Sequence, residues 1–110
     1  MLSEGKRDRY LDMIDRGELP DDLECFVESV ETRRGGYKIT LDRGVAVSLP
    51  MEASATVEQI AKGDHFLISH NAHPDGAVEQ LPIGLRGIRV LRDESFIFSF
   101  LVSEDLIGFR

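Results

Sequence analysis

The chain has one cysteine, no tryptophan and no long apolar segment. Because Cys25 stands alone, an intrachain disulfide is impossible, which fits a reducing compartment. No stretch approaches the roughly 18–20 apolar residues that a membrane helix needs, and the charged N-terminus lacks the apolar segment of a signal peptide. These absences predict a cytoplasmic protein without a membrane partner.

The composition predicts a single folded domain. Hydrophobic residues make up 42% and charged residues 30% of the 110 residues, so a folded chain is expected. This length is typical of one domain and suffices for a core without disulfides or metals. Since the sequence has no repeat, low-complexity stretch or linker, we expect residues 1–110 to form one globular domain.

Negative charge is concentrated between residues 12 and 31, a stretch we call the acidic segment. It contains eight carboxylates and one base, Arg16, so its formal charge of −7 equals that of the whole chain. A local charge of this kind steers basic partners and repels nucleic acid. The eight carboxylates are Asp12, Asp15, Glu18, Asp21, Asp22, Glu24, Glu28 and Glu31.

Periodicity predicts a helix followed by a β-meander in the first half of the chain. Over residues 3–16 the apolar residues share one helical stripe, which is typical of an amphipathic helix. From residue 23 the apolar residues recur at every second position. Turn residues at 33–36 and 42–44 divide residues 23–49 into three antiparallel strands.

The second half predicts one short helix and three more strands. The helix is expected over residues 54–62 and the strands over residues 64–70, 83–91 and 96–102. In the last strand Phe96, Phe98 and Phe100 alternate with other residues, which predicts a strand central to the core. The fold class is therefore α+β and mainly β. We predict a small antiparallel barrel, or a strongly bent sheet of five to six strands, with the N-terminal helix packed on it.

A histidine loop offers weak candidates for metal ligands. Its members His65, His70, His73 and Asp75 fall within eleven residues. However, their spacing matches no well-attested zinc pattern, and on a strand His65 points to the face opposite His70. We therefore expect an ordinary exposed loop, with neither a metal nor another cofactor.

Two other constellations favour structural roles. Cys25 lies near carboxylates, which raise a thiol pKa, so it is expected to be a buried structural cysteine and not a nucleophile. Arg86, Arg89 and Arg92 lack the interleaved aromatic residues of a base-stacking site. We expect these arginines to pair with Asp93, Glu94 or the acidic N-terminal third.

The charge pattern favours a non-enzymatic acidic binding protein with no catalytic residues. Its expected partner is another protein with a basic surface, and the carboxylates would mimic a row of phosphates. The most specific version is an inhibitor or regulator of a nucleic-acid-binding machine, of the kind that phages and mobile elements encode. The expected partner-binding residues are Asp8, Asp12, Asp15, Glu18, Asp21 and Asp22.

Two alternatives belong to other functional classes. The chain could be a structural or assembly subunit of a larger particle, forming a homo-oligomer through an apolar interface. That interface would use Phe26, Val30, Leu106, Ile107 and Phe109. The other alternative is a metal-dependent enzyme that uses the histidine loop.

Overall fold

A computed structural model describes residues 22–72 and 79–109, together with Met13, Arg16 and Pro20. Seven of the described strands form one antiparallel sheet in the order β8-β7-β4-β1-β2-β3-β9, and β5 pairs with β6 in a separate ribbon. In chain order the strands are β1 (Leu23–Arg33), β2 (Gly36–Leu41), β3 (Val45–Pro50), β4 (His65–Ser69), β5 (Asn71–Ala72), β6 (Glu79–Gln80), β7 (Leu85–Arg92), β8 (Ser95–Ser103) and β9 (Ile107–Phe109).

The helical elements among the described residues are short. A 3₁₀ turn at Met51–Ala53 leads into helix α1 (Ser54–Glu58), and a second 3₁₀ turn, Glu104–Leu106, precedes β9. No helix in this part of the chain is long and apolar enough to cross a membrane. The expected helix over residues 3–16 lies outside the described residues, apart from the helical Met13 and the turn residue Arg16.

Strand β1 is long and bent, and it joins the two halves of the sheet. Its first residues pair with β4 and its later residues with β2, and the register shifts between Val27 and Ser29. At the bend, the Phe26 N–H donates to Asp42 Oδ1 at 2.9 Å and the Asp42 N–H donates back to the Phe26 carbonyl at 3.0 Å. The bulge therefore turns the chain without leaving these backbone groups unsatisfied.

The core lies inside the curl of this sheet. The molecule measures 37 × 32 × 30 Å, whereas a flat sheet would be only about 10 Å thick. Alternate side chains from both halves point inward because successive residues of a strand face opposite sides. The largest fully buried apolar side chains are Phe66, Leu23, Ile39, Leu41, Ile68, Ile88, Val45, Val47 and Val90.

The mainly β character expected from the sequence is confirmed, but the strand count and the barrel are not. The main sheet has seven strands instead of five to six, and it stays open between β8 and β9. Three short strands, β5, β6 and β9, were not expected, since two or three residues are too few to show an alternating pattern. Helix α1 ends at Glu58, four residues before the expected end of the helix at residue 62.

The expectation that the phenylalanine strand is central to the core is wrong. Strand β8 is an edge strand that pairs only with β7 among the described elements. Its register shifts beside Ile97, so Phe96 pairs with Leu91 and is 51% exposed, while Phe98 and Phe100 are half-buried. A bulge changes which face later residues occupy, and strict alternation across it therefore misleads.

Asp64 fastens the loop between α1 and β4 to the rest of the sheet. This side chain is only 2% exposed. It accepts two hydrogen bonds from Arg92 at 2.8 Å and one from the Ala61 N–H at 2.9 Å. The hydrogen bonds from Arg92 hold the pKa of the Asp64 carboxyl below its usual value, despite the opposing effect of burial.

We expect Gly36→Ala to destabilise the fold, because a methyl group at Gly36 would collide with the backbone carbonyl oxygen of Leu49 on β3. The expected loss in the free energy of unfolding is about 1–3 kcal/mol, measured by urea denaturation. Gly108→Ala is the matched control, since no atom lies within 4 Å of a methyl group placed there. Equal stability of the two variants would contradict the described β2–β3 packing.

We also expect Asp64→Asn to destabilise the fold in a pH-dependent way. At pH 7 the loss is about 1–3 kcal/mol, because an amide cannot accept both hydrogen bonds of the Arg92 guanidinium. Because the pKa of Asp64 is lower in the folded than in the unfolded protein, its ionised carboxylate stabilises the fold above the unfolded pKa of about 4. This stabilisation is lost as the pH falls below that value and Asp64 becomes protonated. Urea denaturation should therefore show a smaller gap to wild type at pH 3 than at pH 7.

The control for this pH series is Glu58→Gln, which removes an exposed carboxylate from the end of α1. Its stability should follow that of the wild type at both pH values. A gap between Asp64→Asn and wild type that stays the same size at pH 3 would contradict the described ion pair.

Candidate functional site

The side of β1, β4, β7 and β8 that faces away from the core carries a mixture of apolar and polar side chains, of which Phe26, Phe96, Ser99 and Leu101 are exposed. We call this surface the outer face. The strand register places its side chains in adjoining cross-strand rows. One row runs through Phe26, His65, Leu91 and Phe96, the next through Glu24, Leu67, Arg89 and Ser99, and the third through Ser69, Gly87 and Leu101.

One end of the outer face is a stack of two rings beside a carboxylate. The Phe26 and His65 rings lie 4.6 Å apart between centroids and are inclined by 13°. His65 Nε2 lies 3.3 Å from Glu24 Oε1. The stack orders two side chains on an exposed surface, and Phe26 remains 48% exposed. This end therefore offers a fixed aromatic surface with a negative charge beside it.

The other end of the outer face pairs an arginine with an aromatic ring. The guanidinium carbon of Arg89 lies 5.7 Å from the centroid of the Phe96 ring, within cation–π range. Arg89 Nε is buried and has no hydrogen-bond partner among the described residues. Leu101, from the neighbouring row, is 54% exposed. Three large apolar side chains of the outer face are thus about half open to solvent.

The structure describes part of the acidic segment. Of the expected partner-binding residues, Asp22 is exposed immediately before β1, and the other five lie outside the described residues. Glu24 lies beside His65, and Glu31 pairs with Arg33 at 2.7 Å. Glu24 and Glu31 of β1 therefore have bases beside them, whereas Asp22 is an exposed carboxylate immediately before β1.

The histidines of the described structure lie in separate environments. His65 contacts Phe26 and Glu24 on the outer face, whereas His70 hydrogen-bonds Arg86 at the end of β4. Among the described residues, no three His, Cys, Asp or Glu side chains gather closely enough to hold a metal ion. The remaining candidates, His73 and Asp75, lie outside this part of the chain.

Cys25 is a buried cysteine within the core. Burial, with a further contribution from Asp42, raises the pKa of its thiol to about 12. At neutral pH the reactive thiolate is therefore nearly absent, because the thiolate and not the thiol attacks electrophiles. This environment suits a structural residue and not a nucleophile.

Arg86 and Arg92 on β7 form their ion pairs with carboxylates other than Asp93 and Glu94. Arg86 is buried and contacts Glu104 at 2.8 Å, and the partner of Arg92 is Asp64. Both carboxylates are distant in sequence from their arginines, Asp93 adds a weaker electrostatic interaction with Arg92, and most of the acidic N-terminal third lies outside the described residues. The cation–π contact of Arg89 was also missed, because it depends on the β7–β8 register.

The apolar residues expected to form an assembly interface have divided roles. Ile107 is buried in the core, and Leu106 and Phe109 pack against it, so the C-terminal part is not a free surface. Val30 also packs against the core, because the bulge in β1 separates it from the face that Phe26 occupies. Only Phe26 of this set remains in an exposed surface, as a member of the outer face.

Comparison with known proteins adds no functional information. No protein family matches the chain, and neither a curated protein nor a solved structure is similar enough to count as a match.

The raised pKa predicts that Cys25 is unreactive in the folded protein. At pH 8, modification by a thiol-specific disulfide reagent should be at least about 100-fold slower in native protein than in protein unfolded in urea. The rate is followed by the absorbance of the released thiolate. Rapid modification of the folded chain, with unchanged circular dichroism, would contradict the described burial of this side chain.

Proposed function

We propose that this chain is a non-enzymatic acidic binding protein that docks on another protein through its outer face. The observation that supports the proposal is the composition of that face. Phe26, Phe96 and Leu101 are each about half exposed, and Arg89 lies against one of the aromatic rings. Exposed aromatic residues and arginine are the residue types that dominate the energy of protein–protein interfaces.

The charges around the outer face define the complementary partner. Glu24 and Asp22 lie at the β1 side, and the acidic segment continues from there. Arg89 lies two strands away, on β7. A matching surface would present apolar side chains in its centre, basic groups toward β1 and a carboxylate toward Arg89, because complementary potentials favour the correct orientation.

Three exposed large apolar side chains on one face of the sheet also need a reason in a small domain. A single exposed leucine is ordinary, whereas a patch that combines aromatic rings with nearby charges is typical of an interaction site. The stacking of Phe26 on His65 already restricts both side chains. Docking would therefore cost less side-chain entropy than it would at a surface of freely rotating side chains.

The test begins with a photo-crosslinking phenylalanine analogue at position 26 and a native extract. A captured protein is then purified, and its affinity for wild type is compared with that for Phe26→Ser and Leu101→Ser. Each substitution should weaken binding about tenfold or more, because each removes a large exposed apolar side chain that the outer face offers to the partner.

The matched control is Met51→Ser, which removes another exposed apolar side chain from the turn before α1. Its affinity for the captured protein should equal that of the wild type. If all three variants bind alike, the outer face is not the docking surface. Circular dichroism of each variant shows that a lost affinity does not come from unfolding.

A more specific version of the proposal makes the partner a nucleic-acid-binding protein that this chain inhibits. The charge of the acidic segment favours it, since a basic nucleic-acid-binding groove would attract that segment. The test replaces Asp8, Asp12, Asp15, Asp21 and Asp22 with Asn and measures affinity against salt concentration. Unchanged affinity and salt dependence would mean that these carboxylates take no part in docking and that the outer face binds the partner without them.

A further inference from the structure

Strand β7 carries three arginines, and one of them lacks a carboxylate partner within the described part of the chain. Arg86 pairs with Glu104 and Arg92 pairs with Asp64, both at 2.8 Å. Arg89 lies between them in sequence, on the outer face, and forms neither an ion pair nor a hydrogen bond with a described residue. The chain has 20 acidic residues against 13 basic ones, so a guanidinium without a carboxylate beside it needs an explanation.

The surroundings of Arg89 hold its guanidinium in place without satisfying it. The central carbon lies 5.7 Å from the centroid of the Phe96 ring, a cation–π distance. The side chain is only partly exposed, and its Nε is buried with no acceptor among the described residues. Taking a cation partly out of water is unfavourable unless a negative group pairs with it. The guanidinium is therefore already ordered, and its charge is available to a ligand.

The terminal nitrogens of Arg89 are the donors that an outside group can reach. Among its nitrogens only Nε is both buried and unpartnered, so Nη1 and Nη2 are open to solvent in the described structure. Two parallel N–H groups of a guanidinium match the two oxygens of a carboxylate, and such bidentate pairs are strong. Ser99 lies directly opposite Arg89 in the β7–β8 ladder and is exposed. Directly opposed residues share a face, so the Ser99 hydroxyl adds a further donor beside the guanidinium.

The charge of the chain and the neighbouring side chains select a carboxylate over a phosphate. A phosphate monoester carries about −1.5 to −2 charges at pH 7, and the formal charge of −7 on the chain opposes its approach more than that of a single carboxylate. Phe96 and Leu101, which lie on either side of Ser99 along the outer face of β8, are 51% and 54% exposed. A carboxylate attached to an apolar group therefore matches the site in both charge and surface.

We propose that Arg89, Phe96 and Ser99 form a subsite for the carboxylate of an aspartate or glutamate side chain that is flanked by apolar residues. The carboxylate accepts hydrogen bonds from Nη1 and Nη2 of Arg89 and from the Ser99 hydroxyl, while the flanking residues cover Phe96 and Leu101. For the source of this carboxylate the inference rests on the proposed function, because the docking partner supplies it. Arg89 then determines which acidic protein segment the outer face selects.

The first experiment tests the subsite with a small molecule and needs no partner protein. The arginine Nε–H signals are followed by nitrogen–proton correlation NMR while phenylacetate, an aromatic carboxylate, is added. We expect the Arg89 signal to shift with a dissociation constant of about 1–10 mM, which suits a ligand of this size. The signal of Arg34, exposed in the turn between β1 and β2, is the internal control and should move far less.

Two related molecules test which chemical group the subsite takes. Phenylacetamide has the same ring without the charge, and it should bind at least about tenfold more weakly because it forms no ion pair. Phenyl phosphate should also bind more weakly than phenylacetate, because the acidic chain repels its larger charge. A preference for phenyl phosphate would identify a phosphate site and overturn the assignment to a carboxylate.

Variants at position 89 test which part of the guanidinium matters, with the backbone amide of Ser99 as the probe signal. Arg89→Gln should abolish the binding of phenylacetate, since it removes the charge. Arg89→Lys keeps the charge but should bind about tenfold more weakly, because an ammonium group cannot form two parallel hydrogen bonds to a carboxylate. Arg34→Gln is the matched control and should bind phenylacetate like the wild type.

The second experiment tests the source of the carboxylate with the protein captured from position 26. Its affinity for Arg89→Gln should be about 10–100-fold lower than for wild type, and its affinity for Arg34→Gln should be unchanged. If Phe26→Ser and Leu101→Ser weaken binding but Arg89→Gln does not, docking through the outer face stands and the partner does not supply the carboxylate. If all three variants bind like the wild type, the proposed docking itself is wrong, and the NMR titration alone decides whether the subsite exists.

Two outcomes of the titration would overturn the subsite. One is an equal response of Arg89 and Arg34 to phenylacetate, which would make Arg89 an ordinary surface arginine. The other is equal binding of phenylacetate and phenylacetamide, which would show that the ring and not the carboxylate is recognised. Unchanged circular dichroism of each variant excludes unfolding as the cause of a lost response.

Discussion

The fold depends on the bend of β1, the strand that belongs to both halves of the sheet. A strand that changes partners from β4 to β2 needs hydrogen-bond partners for its backbone where the ladders part. Asp42 supplies them for Phe26 on one side. The loop before β4 supplies them on the other, where the Val27 N–H donates to the Asp64 carbonyl at 2.9 Å and the Gly63 N–H donates to the Val27 carbonyl at 2.8 Å.

The same bend separates the surfaces of the protein. On the core side of β1, Cys25 and Val27 are buried, and burial raises the thiol pKa of Cys25. On the opposite side, Phe26 lies beside His65 in the outer face. Asp64 links the two arrangements, since its backbone carbonyl holds the bend and its carboxylate holds Arg92 of β7. Asp64 therefore connects the bend of β1 to strand β7 through its backbone carbonyl and its carboxylate.

The sequence predicted those parts of the fold that follow from local alternation. Strands β2 and β3 bury one face, so their apolar residues recur regularly and their turns carry recognisable residues. The edge position of β8 could not be predicted in this way, because strand order is set by long-range pairing. Its three phenylalanines suggested a central strand, and the bulge at Ile97 then placed Phe96 on the opposite side.

The candidate site was less predictable than the fold. The stack of Phe26 on His65 joins two strands that are distant in sequence, and the contact of Arg89 with Phe96 depends on the shifted register of the β7–β8 hairpin. The link between Asp64 and Arg92 spans 28 residues. The concentration of negative charge in the acidic segment can be read from the sequence. The sequence does not show which of its carboxylates have bases beside them in the folded protein. Glu24 and Glu31 have such bases in the folded chain.

The turn between β7 and β8 has a consequence for local opening of the molecule. Asp93 and Glu94 both adopt positive φ, 53° and 67°, a conformation that twists a two-residue hairpin correctly but is unfavourable for residues other than glycine, asparagine and aspartate. Peeling β8 away would relieve this strain and break the ladder with β7, the only one that β8 forms among the described strands. Its amide protons should therefore be among the first in the sheet to exchange with deuterium, unless a neighbouring strand shields them.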